Sequence, residues 1–165
     1  MMSNKNNLEN FYCYIDTPLG EILAVQGEKG LEQLLFPING IKVSPDPEWI
    51  EDFVCLKQVS DEINAYFKKE LTTFSVDIYP KGTPFQQSVW RALGTISFGT
   101  VVSYKYVAEL IGNPKACRAV GGAVGKNPIP IIIPCHRVIG SDGSLTGFSG
   151  GLDIKRYLLN LEGKN

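Results

Sequence analysis

Cys135 and His136 are neighbours, and His136 is the only histidine among the 165 residues. A cysteine attacks an electrophile as its thiolate, and an imidazole is the usual base that generates one. The pair lies in Pro134-Cys135-His136-Arg137-Val138-Ile139-Gly140, directly after the apolar run Ile129-Pro130-Ile131-Ile132-Ile133. Pro134 removes a backbone donor and drives Ile133 toward extended backbone. The spacing predicts a thiol that emerges abruptly at the end of a buried strand. The competing reading is an inert packing cysteine, because free cysteines are among the most buried residues. What surrounds the pair weighs against that reading.

Composition narrows the function classes. The chain is 44% hydrophobic and 20% charged, as in an ordinary globular protein of one domain or two small ones. No apolar stretch approaches the ~18 residues of a membrane span, so no membrane partner is expected. Met1 to Asn10 is polar and lacks the apolar core of a secretory signal, which places the chain in the cytoplasm, or in the nucleus of a eukaryote. Cys13, Cys55, Cys117 and Cys135 form no C-x-x-C pair. Together with a single histidine, this argues against zinc, redox and disulfide frameworks, and no metal or cofactor is expected. Residues 1–80 carry 6 Lys/Arg against 13 Asp/Glu, whereas residues 81–165 carry 10 against 4. Only the second half has the charge to meet a polyanion.

The elements that must hold the pair are readable in outline. Phe11 to Asp16, Glu21 to Gln26 and Gly30 to Phe36 read as strands of an antiparallel meander, punctuated by Pro18, Gly20, Gly27 and Gly30. Apolar residues at 50, 53, 54, 56, 59, 63, 66 and 67 predict a helix within Trp49 to Lys69. Thr73 to Tyr79 alternates as a further strand, and Pro80 to Pro84 reads as a linker at the charge boundary. This divides the chain into an N-terminal α/β domain (1–80) and a mainly helical domain (81–165). In the second, Thr83-Pro84 opens a helix to Leu93, Ser103 caps one to Leu110, and Asn113-Pro114 caps one to Val124. The last two, joined through Ile111-Gly112, have the outline of a helix-turn-helix. Ser141 to Ser144 is a turn that would close a hairpin between Val138-Ile139 and Leu145, and Leu152 to Leu161 reads as the last helix.

The segment Lys115 to Val124 has an unusual face. Val120 and Val124 should point to the core, leaving Arg118, Gly121, Gly122 and Gly125 near another face. A helix lined by Gly and Ala approaches a backbone or a groove closely, and Arg118 is its one long probe, which suits a minor groove. Tight helix packing inside the protein is the alternative.

These stretches resemble the O6-alkylguanine-DNA alkyltransferases, also called methylated-DNA–protein-cysteine methyltransferases. The matching residues are Gly82-Thr83-Pro84-Phe85-Gln86-Gln87 with Val89-Trp90, Phe98-Gly99 with Val102-Ser103-Tyr104, and Gly112-Asn113-Pro114-Lys115-Ala116. Arg118-Ala119-Val120-Gly121, Asn127-Pro128, the Pro-Cys-His-Arg segment, Gly150-Gly151-Leu152, Leu158-Leu159 and Glu162 follow in family order. The resemblance covers nearly all of 82–163. It implies an α+β chain whose N-terminal sheet with a helix is RNase H-like and whose C-terminal part is winged-helix-like.

It also implies an activity, namely repair of double-stranded DNA by one irreversible transfer of an alkyl group from O6 of guanine, or O4 of thymine, to Cys135. On that resemblance His136 is the base, acting through a water, and Glu162 holds its far nitrogen. Asn127 orients the active-site segment, and Tyr104 assists nucleotide rotation and protonates the leaving guanine. Arg118 fills the gap left in the stack. Ser103, Ala116, Cys117, Ala119 and Gly121 line the DNA face, and Phe148 and Ser149 with Tyr104 bind the damaged base. Phe148 stands where many relatives carry Tyr, and Cys117 where Ala is common. Compared with relatives that carry N-terminal zinc or a phosphotriester-sensing domain, this chain is expected to have neither, since Cys13 and Cys55 have no histidine beside them. A monomer is expected. Three other readings compete. One is a lesion sensor that flips the base without transfer, which the presence of Cys135 disfavours. Another is a cysteine hydrolase or thiol redox protein, disfavoured because adjacent Cys and His align poorly and no C-x-x-C exists. The third is a plain DNA-binding transcription factor, against which the site residues of the last helix argue.

Overall fold

Thr83 shows how strongly local chemistry shapes the second half. Its hydroxyl accepts the Gln86 N–H, the Gln86 side chain accepts the Thr83 N–H, and Pro84 fills the first helical position. Helix α2 (Pro84–Leu93) therefore begins where the sequence predicts. The computed structural model describes residues 9–148 and 150–163.

In the first half, β1 (Phe11–Thr17), β2 (Gly20–Gly27) and β3 (Gly30–Leu35) form the expected antiparallel meander. A two-residue β4 (Ile50–Glu51) adds to β1 in parallel, giving the order β3-β2-β1-β4. Helix α1 (Lys57–Phe67) packs on the sheet through Val59, Ile63 and Tyr66. The helix predicted over Trp49 to Lys69 is thus shorter. The N–H groups of Ile50 and Asp52 bond to Asn10 and Tyr12 of the β1 edge, and the Asp52 carboxylate takes those of Val54 and Cys55. Phe53 and Val54, 59% and 84% exposed, make no helical apolar stripe.

The strand expected over Thr73 to Tyr79 is also absent. It contributes a single bridge, Ile78 to Leu31, because Ser75 gives its N–H and hydroxyl to Glu62 of α1 rather than to the sheet.

The second half contains α2, a two-residue β5 (Val102–Ser103), α3 (Tyr104–Leu110), α4 (Cys117–Gly125), β6 (Val138–Ile139) and α5 (Leu152–Leu161). Ser103 caps α3 through the Tyr106 N–H, as expected. Helix α4 starts later than Asn113-Pro114 predicts. The Asn113 carbonyl closes a turn on the Ala116 N–H, and Ala116 is the cap without a side-chain bond. Val120 and Val124 face the core, and the Trp90 indole donates to the Ala123 carbonyl at 2.9 Å, fixing α2 on α4. The Ser141–Ser144 turn forms, but Val138-Ile139 pairs in parallel with β5 and not with Leu145. Lys155 claims the Val138 carbonyl instead.

The two halves share one apolar core, which includes Ile63 and Tyr66 of α1, Leu93 of α2 and Leu158 of α5. Backbone bonds also join them, such as Leu34 N–H to the Pro128 carbonyl at 2.9 Å. No helix among the described residues is long and apolar enough to cross a membrane.

Candidate active site

The segment before Cys135 is a turn, not the predicted strand. Ile133 N–H bonds to the Ile129 carbonyl, and Ile131 adopts a positive φ of 75°. The Asn127 amide replaces a strand partner. It donates to the Ile133 carbonyl at 2.8 Å and accepts the Ile129 N–H at 2.9 Å. Asn127 is itself buried, so both bonds form away from water and hold the loop rigidly. Cys135–Arg137 then forms a single 3-10 turn, with the Cys135 N–H on the Ile133 carbonyl.

Cys135 is 2% exposed. Burial pushes its thiol up to about 11, against the opposing pull of the Asn127 side chain and the Lys155 cation. The thiol is therefore protonated at rest, and reaction requires a base. His136, also buried, has its basicity lowered by burial, with Glu162 opposing that effect. Its Nε2 bonds to Glu162 Oε1 at 2.7 Å, so Nε2 carries the proton in the neutral ring. Nδ1 is buried with no hydrogen-bond partner among the described residues and is the nitrogen left to accept a proton. No direct Cys135–His136 hydrogen bond exists, as the poor alignment of adjacent residues predicts.

Glu162, just past α5, is the best-connected group of the site. Oε1 accepts from His136 Nε2, Arg137 Nη2 (2.9 Å) and the Tyr66 hydroxyl (2.7 Å); Oε2 accepts from Arg137 Nε (2.9 Å) and the Gly99 N–H (3.1 Å). Burial would raise its pKa, but the bonds from His136, Arg137 and Tyr66 outweigh this and hold the carboxyl well below the usual carboxylate range. Gly99 serves this site through its φ of 77°, the left-handed region that side chains avoid.

Lys155 of α5 is fully buried and donates to the Val138 and Thr146 carbonyls, fastening α5 to both ends of the 138–146 loop. Its charge lies near the thiol and favours the thiolate. Tyr66, Gly99, Arg137 and Lys155 carry no assigned role in the sequence reading. The signal for Lys155 was present, since it falls with Leu158, Leu159 and Glu162 on the buried stripe of α5, where a charge needs a reason.

Tyr104, Cys117, Arg118, Gly121, Thr146 and Gly147 line one shallow depression. The Tyr104 hydroxyl donates to the Thr146 carbonyl at 2.9 Å. Arg118 and Ala119 are exposed on the outer face of α4, Ala116 and Cys117 are half-buried at its start, and Ser103 is committed to capping α3. Phe148 is half-buried against Phe36 of the first half, and a Cβ at Gly150 would lie 2.8 Å from Phe148 and 2.9 Å from Phe36. Ser149 lies outside the described residues. Among the described residues no group of three or more His, Cys, Asp or Glu could hold a metal.

Residues 84–164 match the family model for the DNA binding domain of 6-O-methylguanine DNA methyltransferase, and residues 10–80 match the model for its ribonuclease-like domain. A methylated-DNA–protein-cysteine methyltransferase of Methanosarcina barkeri is 47% identical over 94% of this chain and 98% of its own length. One from Haemophilus influenzae is 43% identical over 92% and 86%. Among solved structures, Mycobacterium tuberculosis O6-methylguanine methyltransferase superposes with a TM-score of 0.83 at 44% identity, covering 93% of this chain and 92% of that one. M. tuberculosis OGT in complex with DNA gives 0.81 at 45% identity, over 92% of each chain.

Proposed function

The chain belongs to the 6-O-methylguanine DNA methyltransferase family, and on that premise we propose that it repairs DNA by moving the alkyl group of O6-alkylguanine onto Cys135. Methyl transfer from methylated DNA to a protein cysteine is the activity its curated relatives are named for, at 43–47% identity over most of the chain. One observation carries the assignment to Cys135. A buried thiol shares a rigid turn with an imidazole that has one nitrogen on a carboxylate and the other free to take a proton.

The chemistry follows from those positions. The Cys135 proton passes to His136 Nδ1, relayed by a water because sulfur and ring make no direct bond. The imidazolium is stabilised by Glu162. The sulfur electron pair then attacks the alkyl carbon as the carbon–O6 bond breaks, and that bonding pair leaves on the guanine. Tyr104 exchanges its bond to Thr146 for one to the base and supplies a proton, so that guanine departs neutral. The product is a thioether, which no group at the site cleaves, so each molecule acts once.

A buried thiol is out of reach of a stacked base, and the nucleotide must rotate out of the duplex at a cost of a few kcal/mol. Arg118 on the exposed face of α4 occupies the space it leaves, while Ala119 and Gly121 allow α4 to enter the minor groove. O4-alkylthymine presents the same O-alkyl group and is a second substrate. Within this reading residues 1–80 form a supporting domain, residues 81–165 carry the transfer, and the protein acts as a monomer in the cytoplasm, or in the nucleus of a eukaryote.

Intact-mass measurement after mixing with a duplex that holds one O6-methylguanine tests the proposal. The expected result is a gain of one methylene unit, saturating at one per protein and mapping to Cys135. Binding without mass gain would make the protein a lesion sensor. A gain mapping to Cys117 would move the acceptor.

A further inference from the structure

We propose that Tyr66, from the N-terminal half, is a positioning residue of the transfer, whose hydroxyl shares Glu162 Oε1 with His136 and so sets how strongly the carboxylate holds the imidazole. This rests on the reading of Cys135, His136 and Glu162 above and adds a group 96 residues away from Glu162.

Tyr66 is 0% exposed, on the last turn of α1. Its ring is wedged among Phe67, Phe74 and Phe98 at centroid distances of 5.5, 5.6 and 6.0 Å. Packing alone would be served by phenylalanine. The hydroxyl instead meets Oε1 at 2.7 Å, the same distance at which His136 Nε2 meets that oxygen. Burial and the nearby Glu162 charge keep the phenol protonated far above its usual range, so it stays a donor at every working pH.

An oxygen that accepts three donors offers less charge to each. Without the Tyr66 hydroxyl, Glu162 is still held by both Arg137 bonds, Gly99 N–H and His136, so its place is kept. The charge on Oε1 then falls more fully on His136 Nε2–H, and the ring becomes more basic. The groups facing His136 are Cys135 and Arg137 on its own turn, Lys155 and Glu162 of the α5 region and Tyr66 of α1. Arg137 and Lys155 oppose protonation of the ring, and Glu162 favours it. Tyr66 tempers Glu162, so the first half of the chain tunes the base that serves the second.

The chain has one histidine, so imidazole NMR signals from the full-length protein belong to His136. The samples are wild type, Tyr66→Phe and protein with 3-fluorotyrosine at position 66, which keeps the ring and makes the hydroxyl a stronger donor. In Tyr66→Phe the Nε2–H signal should move downfield and the His136 pKa should rise by about half a unit or more. Fluorotyrosine should move both the opposite way. The pH profile of Cys135 alkylation by free O6-benzylguanine should follow the same order. A Tyr66→Phe protein with wild-type melting but unchanged His136 signals overturns the proposal. So does a shift of one sign in both replacements, which marks altered packing. If Tyr66→Phe does not fold, the fluorotyrosine protein decides alone. Wild type is assayed for alkyl uptake in parallel. Failure there overturns the assignment of Cys135, whereas the His136 signals still report whether Tyr66 governs the imidazole.

Discussion

Replacing Glu162 with Gln removes one charge and almost no volume, yet it strikes five hydrogen bonds at once. The amide keeps one acceptor oxygen and turns an NH2 toward groups that are themselves donors. Arg137, nearly as buried as its partner, loses its countercharge and at least one of its two carboxylate bonds, and keeps the Ile96 carbonyl. Breaking a buried ion pair from one side costs about 3–5 kcal/mol. The Ile96 bond and the surviving oxygen favour the lower end, and for a domain of this size ~3 kcal/mol corresponds to a fall in Tm of about 10 °C. The pH dependence has a definite sign. The Glu162 carboxyl is held below its unfolded value of ~4.3, so its stabilisation is complete above that pH and is lost as pH falls through the folded value. The gap between wild type and variant should therefore be flat from about pH 8 to about pH 5 and close only in stronger acid. Single-turnover transfer should slow as well, by a large part of the ~10²–10⁴ a positioned base supplies, because the imidazolium loses its anion. Thermal melts by circular dichroism across pH, with transfer followed by mass, test both effects. A Tm within about 2 °C of wild type, or a gap that widens from pH 5 to pH 8, would show that the Glu162 charge does not anchor Arg137 and His136.

Arg118→Ala should slow repair of duplex DNA at least tenfold more than reaction with free O6-benzylguanine, a ratio worth about 1.4 kcal/mol in the transition state; equal slowing would remove Arg118 from nucleotide rotation. Lys155→Met keeps the side-chain volume and removes the cation near the thiol. The thiol should titrate higher still, and alkylation by iodoacetamide at neutral pH should fall several-fold, with an unchanged pH profile counting against an electrostatic role. Thr83→Ala breaks the capping box of α2 at a cost of about 1 kcal/mol, to be read as a lower urea midpoint with unchanged slope and unchanged transfer per folded molecule.

Several elements were legible because their causes lie within a few residues of each other. Thr83, Pro84 and Gln86 start α2, Ser103 starts α3, and the glycine-marked turns of the first half set a meander that pairs as read. Where structure and apolar pattern part, the cause lies outside the segment itself. Ile129 to Ile133 and Thr73 to Tyr79 have strand composition, but the first has its backbone claimed by Asn127 and the second by Glu62. Apolar spacing reports which residues are buried and says nothing about which group takes each N–H. Trp49 to Phe53 is no helix for the same reason, because the Ile50 and Asp52 N–H groups are spent on the β1 edge and that of Trp49 on the Asp46 carbonyl.

The site divides along the same line. Cys135 beside His136 is a fact of order in the chain, visible before any fold is known, and so is the Gly/Ala face around Arg118. Family likeness added Glu162 on the far nitrogen of His136, Asn127 as the residue that orients the active-site segment, and Tyr104. Folding alone decided that the Glu162 carboxylate is shared with Arg137, Gly99 and Tyr66 as well, and that the Lys155 cation is close enough to the thiol to favour the thiolate. The physical reason is range. Capping and turn preferences act through bonds that close within a turn of chain. A buried charge is tolerated only where donors from α1, Gly99 and the Cys135 turn converge on the residue that follows α5, and only the packed core brings those segments together.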